Sequence, residues 1–102
     1  MPGAEKETRL DGNELETAIS TLGEGWKVED NHHLRKDFKF PDFVTALEFV
    51  NSIAVIAEEQ QHHPDITLTW GKVSLSVWTH TLNGLSAKDI RLAESINGIG
   101  SS

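Results

Sequence analysis

The chain contains no cysteine, which excludes disulfides, cysteine nucleophiles and thiolate metal sites and leaves His, carboxylate, Ser/Thr and Lys chemistry. Positive charge is also scarce. Nine Lys and Arg stand against sixteen Asp and Glu, a formal charge of -7 that repels phosphate backbones and anionic membrane surfaces. Neither direct nucleic-acid binding nor membrane association is expected. No apolar run approaches membrane-spanning length, and the polar opening Met1 to Arg9 lacks the apolar region of a secretory signal. The expectation is a soluble, intracellular protein, cytoplasmic with the nucleus also open to it. At 102 residues the chain suffices for one domain with a modest core, which oligomerisation would help to stabilise.

Residues 1 to 10 carry no periodicity and are expected to be flexible, leaving 11 to 102 as a single domain. Leu15, Ala18, Ile19 and Leu22 recur at helical spacing, with Asp11 and Glu14 resembling a capping box and Gly23 suiting the stop. Trp26 to Glu29 and Leu34 to Phe40 read as strands of a hairpin around Asp30 and Asn31. Pro41 and Asp42 open the longest helix, which runs to about Gln61 with Asp42 as N-cap. On it Phe43, Ala46, Leu47, Val50, Ala54 and Ala57 form one apolar stripe, and Phe49, Ile53 and Ile56 widen the arc. A single sheet rarely needs so wide a face, so the surplus around Phe49, Ile53 and Ile56 predicts a partner, most simply a second copy. Pro64 blocks continuation of the helix. Ile66 to Trp70 and Lys72 to Thr81 read as a second hairpin turning at Gly71, with His80 on the polar and aromatic face of its strand. Ser86 and Asp89 form a box that opens a last helix. The order αββαββα predicts an α+β, two-layer domain: a four-stranded antiparallel sheet with helices packed on one face.

Chemistry concentrates in Glu58, His62, His63 and Pro64, with a third histidine at His80. An imidazole titrates near neutrality, so three of them around one pocket with a carboxylate could exchange protons without a cofactor. Glu58 and His62 are four apart at a helix end and are expected to share a face, where a hydrogen bond would fix one tautomer. A helix end that places His and Glu favourably for the macrodipole and water is the bland alternative. Zinc ligation is disfavoured, because adjacent histidines rarely reach one ion and no His-Glu-x-x-His motif is present. His32 and His33 fall in a hairpin turn and read as exposed polar residues. Ser74 and Ser76 have no base at nucleophile spacing. Trp70 and Trp78 read either as core or rim aromatics or, for one of them, as the wall of a flat ligand's site.

The ordered set Glu58, His62, His63, Pro64, Trp70, His80 and Asp89 resembles the signature of the pterin-4a-carbinolamine dehydratase family. Gly25-Trp26, Phe38-Lys39-Phe40 and Gly84-Leu85-Ser86 extend the similarity over most of the chain after residue 10. The resemblance implies removal of water from 4a-hydroxytetrahydropterin to give the quinonoid dihydropterin, in regenerating the tetrahydrobiopterin cofactor of aromatic amino-acid hydroxylases. It implies no cofactor and no metal. Carried over by position, His62, His63 and His80 are the catalytic and substrate-holding imidazoles, with Glu58 in support; His62 and His80 take the acid/base work and His63 mainly holds the pterin. Gln61, Trp78, Thr79 and Thr81 supply walls and backbone contacts. Gln61, Trp78 and Thr81 depart from animal members, where Asp, Ser and Glu stand, which bears on the contacts to the pterin and on the charge of the pocket. The family also implies a homotetramer built as a dimer of dimers. Its animal members bind a homeodomain transcription factor, so a catalytically idle binding module of the same fold is the alternative.

Overall fold

A computed structural model describes residues 8–100. Of the expected flexible segment, residues 1–7 lie outside the described residues, and Leu10 donates its backbone N–H to the Leu85 carbonyl at 2.8 Å. The elements are α1 (Gly12–Ser20), β1 (Lys27–Glu29), β2 (His33–Lys39), α2 (Phe43–Gln60), β3 (Asp65–Thr69), β4 (Lys72–Val77), a 3-10 turn (His80–Leu82) and α3 (Ala87–Gly100). The four strands form one antiparallel sheet in the order β1-β2-β4-β3. This is the expected α+β arrangement. Among the described residues no helix is long and apolar enough to cross a membrane.

Strand alternation decides which face is covered. Leu34, Val73, Leu75 and Val77 are buried, and Val28, Phe38, Ile66 and Leu68 share their face through the register. The other face carries Lys27, Arg35, Asp37, Ser74, Ser76 and Thr67. Onto the apolar face pack Leu15 of α1, Ala46, Phe49 and Ile53 of α2, and Leu92, Ala93 and Ile96 of α3. Lys36 interrupts the apolar row, and its ammonium lies over the Phe38 ring at 4.8 Å and the Trp26 ring at 5.7 Å. Desolvation holds its pKa below the ordinary value. The Asn97 side chain ties α3 to the start of β1, accepting from the Trp26 indole at 2.8 Å and donating to the Leu22 carbonyl at 2.8 Å.

Local differences from the sequence reading have identifiable causes. Asp11 precedes α1 without capping it, its carboxylate lying 3.4 Å from Arg9 instead. The first hairpin turns where expected, with Asp30 and Asn31 both left-handed, a conformation their short polar side chains tolerate. On α2 the buried face cuts across the two expected arcs. Ile53 and Phe49 are buried together with Ala46 and Ala57 of the stripe, and Val50 and Ile56 are partly buried, whereas Phe43 and Leu47 of the stripe are exposed, as are Val44 and Val55 outside both arcs. Periodicity marks the apolar positions but not which of them meet the sheet. β4 stops at Val77, because Thr79 pairs with Gly84 and the chain turns into the 3-10 segment. His80 therefore sits on that turn and not on a strand face.

Asp42 caps α2, accepting from the Thr45 N–H at 2.8 Å and the Thr45 hydroxyl at 2.7 Å. Those bonds, the backbone one first, hold its carboxyl below the ordinary value. A depressed folded-state pKa gives stability that is complete above the unfolded value of about 3.9 and lost as pH falls through the folded value. Asp42→Asn, which keeps an acceptor oxygen, is thus expected to flatten the acid limb of urea-derived stability between pH 5 and 2. An unchanged limb would remove Asp42 from it.

Candidate active site

The end of α2 sets out two of the histidines. Gln61 adopts a left-handed conformation (φ 53, ψ 42), its N–H reaches back to Glu58 at 3.3 Å, and the His62 N–H reaches Ala57 at 3.1 Å. This is a Schellman closure. It turns the chain out of helical geometry before His62, so the expected Glu58–His62 contact does not form. The partners are exchanged: Glu58 Oε2 lies 2.5 Å from His63 Nε2, and His62 Nε2 lies 2.6 Å from Asp89 Oδ1.

Asp89 is fully buried. Its second oxygen accepts from the Thr79 hydroxyl at 2.8 Å and the Ser86 N–H at 2.9 Å. The Ser86 hydroxyl in turn lies 2.7 Å from that of Thr79 and accepts from the Lys88 N–H at 3.2 Å. The helix-opening box foreseen for α3 is therefore also the anchor of a histidine. An ionised Asp89 accepts from Nε2–H, which leaves Nδ1 as the ring nitrogen of His62 able to take or give a proton. The sequence placed Asp89 in the cap, but no signal within it linked that carboxylate to His62.

The third histidine comes from the segment after β4. The Thr79 N–H donates to the Gly84 carbonyl at 2.8 Å and closes a short loop. On that loop the His80 ring stacks on Trp78, with centroids 4.4 Å apart and planes 11° from parallel. Gln61, His62, His63, Trp78, Thr79, His80, Thr81 and Lys88 line one open cleft of about 270 Å³. All three expected imidazoles and all four expected wall residues thus lie together. Glu58 touches the cleft through His63, Lys88 is an addition, and Trp70 is largely exposed elsewhere. A larger hollow of 430 Å³ near Phe38, Phe40 and Phe49 contains no imidazole.

His32 and His33 are half-buried rather than free in a turn. They join Glu29, Trp78 and Asn83 through hydrogen bonds and ring contacts. Among the described residues no three His, Asp or Glu side chains converge as metal ligands.

Fold and cleft together define a small α+β domain with an imidazole-lined cleft. The family model for pterin 4 alpha carbinolamine dehydratase matches residues 8–99, and the chain belongs to that family. A provisionally named pterin-4-alpha-carbinolamine dehydratase of Rickettsia bellii (strain OSU 85-389) is 42% identical over 88 residues, covering 86% of this chain and 78% of that protein. One of Rubrobacter xylanophilus, named in the same way, is 46% identical over 88 residues, covering 86% and 81%. The crystal structure of a transcriptional coactivator/pterin dehydratase from Brucella Melitensis matches with a TM-score of 0.85 at 34% identity, over 91% of this chain and 99% of that one. A pterin dehydratase-like protein identified as a RuBisCO assembly factor in the alpha-carboxysome shares the fold, with a TM-score of 0.66 at 20% identity over 79% and 95%.

The two carboxylate–imidazole pairs have nearly equal lengths and opposite surroundings. Glu58 and His63 are 72% and 57% exposed, whereas Asp89 and His62 are 0% and 12% exposed. Asp89→Ala removes the acceptor of three buried or half-buried donors and is expected to cost about 3 kcal/mol or more. Glu58→Ala should cost less than about 1 kcal/mol. Urea denaturation of the two variants checks the ordering, and equal losses would contradict it.

Proposed function

We propose that the protein dehydrates a 4a-hydroxytetrahydropterin to the quinonoid dihydropterin, with His62 and His80 exchanging the protons. The observation that carries this reading is the pair of imidazoles lining one cleft, one of them backed by a buried carboxylate. The reaction needs a proton delivered to the departing C4a hydroxyl and a proton removed from N5. An imidazole can either give or take a proton, so two such rings can divide the two transfers between them. Asp89 fixes the orientation and tautomer of His62. His80 lines the same cleft, its ring stacked on Trp78. His63, exposed and tied to the exposed Glu58, is suited to hold the pterin, and Glu58 supports His63 rather than His62. Gln61, Trp78, Thr79 and Thr81 complete the walls.

Stopped-flow measurement of 4a-hydroxytetrahydropterin dehydration, with and without the protein, tests the activity. General acid/base groups contribute typically about 10²- to 10⁴-fold. His62→Ala and His80→Ala should therefore each lower kcat, and the double variant should approach the spontaneous rate. His63→Ala should chiefly raise KM, since it removes binding common to ground and transition states. A collapse of kcat in His63→Ala with His80→Ala intact would overturn the division of roles.

The same reading includes a homo-oligomer, in the form of a dimer of dimers, assembled in part through α2. Phe43, Val44, Leu47 and Val55 expose apolar side chains on one side of α2 that the chain's own sheet does not cover. Because these side chains are exposed within one chain, Leu47→Asp or Val55→Asp should shift sedimentation to a smaller, still folded species. A wild-type monomer at micromolar concentration would refute the assembly.

A further inference from the structure

Trp78 has neighbours besides His80. The His32 ring lies 5.2 Å from it between centroids and tilted by 43°, and that of His33 lies 6.1 Å away. His32 also reaches the far end of the loop, its Nε2 lying 2.8 Å from the Asn83 amide oxygen. Asn83 closes the 3-10 turn in a left-handed conformation, with its N–H on the His80 carbonyl at 3.1 Å. One imidazole from the β1–β2 turn thus grips residues on both sides of His80, two before it and three after it.

His32 is itself held by a chain of hydrogen bonds. Its Nδ1 lies 3.2 Å from His33 Nδ1, and His33 Nε2 lies 3.2 Å from Glu29 Oε1. A carboxylate oxygen and an amide oxygen only accept, so His33 donates from Nε2 to Glu29 and His32 donates from Nε2 to Asn83; the two Nδ1 atoms then share a hydrogen bond only when one of the two rings carries a second proton. Glu29 and Asn83 thus anchor the pair of rings at its two ends. Arg9 lies beside this turn, its guanidinium donating to the Asn31 carbonyl at 3.2 Å; Asp30 follows Glu29 in the turn, and Glu29 shares a surface hollow with Lys27, Arg35, Lys36 and Asp37.

We infer that His32 is a positioning residue for His80, acting through Trp78 and Asn83; this rests on the reading of His80 as an acid/base group. A hydrogen bond and a ring contact on either side of a three-residue 3-10 turn limit its freedom to carry the His80 ring away from His62. Misplacing a reacting group by about 1 Å can cost on the order of 10²-fold in rate.

The test pairs kinetics with an observation that needs no substrate. A histidine stacked on an indole has its ring-proton NMR signal moved upfield by the indole ring current, and His80→Gln assigns that signal. His32→Ala is expected to lose the upfield displacement and to lower kcat by roughly 10- to 100-fold with KM changed less than about threefold. Asn83→Gly, which suits the left-handed backbone and removes only the amide partner, should move both readouts in the same direction. Circular dichroism confirms that each variant folds. A kcat that falls while the His80 signal stays in place, or an unmoved signal in both variants, would overturn the role of His32. An upfield signal lost in the variants of a wild-type protein without dehydratase activity would instead uphold the positioning and refute the assigned reaction.

Discussion

The buried carboxylate of Asp89 constrains the chain more than any other single group. Removing an ionised carboxylate from water costs several kcal/mol unless donors replace the lost hydration. Here the donors come from three separate segments: the His62 ring after α2, the Thr79 hydroxyl after β4 and the Ser86 N–H at the head of α3. Satisfying one charge therefore obliges the ends of three elements to meet at one point. That meeting point is the floor of the cleft, so the requirement that stabilises the fold also sets the position of one imidazole.

The other two histidines are secured by cheaper means. His63 is tied to an exposed carboxylate, in surroundings where water competes for both partners. His80 depends on a stack against Trp78 and on a loop three residues long. The cleft thus combines one rigid ring, one ring on a short braced turn and one loosely held ring. Under the proposed reaction, such a gradient would fix proton donors and acceptors while still admitting and releasing a flat substrate.

How far the sequence anticipates this arrangement depends on whether a feature is local. The Asp42 cap, the Gly71 turn, the alternation of Val73, Leu75 and Val77 and the α3 box are written in adjacent residues and appear as expected. The expected i, i+4 contact of Glu58 with His62 fails because Gln61 adopts a left-handed conformation that ends the helix one step too early, an event with no glycine to announce it. The apolar positions of α2 are legible, but which of them meet the sheet depends on β2 and β4. His80 continues an alternating pattern so regularly that only the Thr79–Gly84 pairing reveals the end of the strand. The ordered motif identifies the site residues as a set, while the pairing of Asp89 with His62 and the engagement of His32 depend on contacts 27 and 51 residues apart.

The closure of α2 has a further consequence. A left-handed residue with a Cβ carries a conformational cost of about 1–2 kcal/mol that glycine would avoid. The chain nevertheless has Gln61 there, on the wall of the cleft, with its amide donating to the Glu58 carbonyl at 2.6 Å. Glycine would relax the backbone and shorten the wall at the same stroke. Thermal robustness and the shape of the cleft are therefore in opposition at this one residue, and a search for stabilising substitutions would encounter that opposition at the helix end before anywhere in the core.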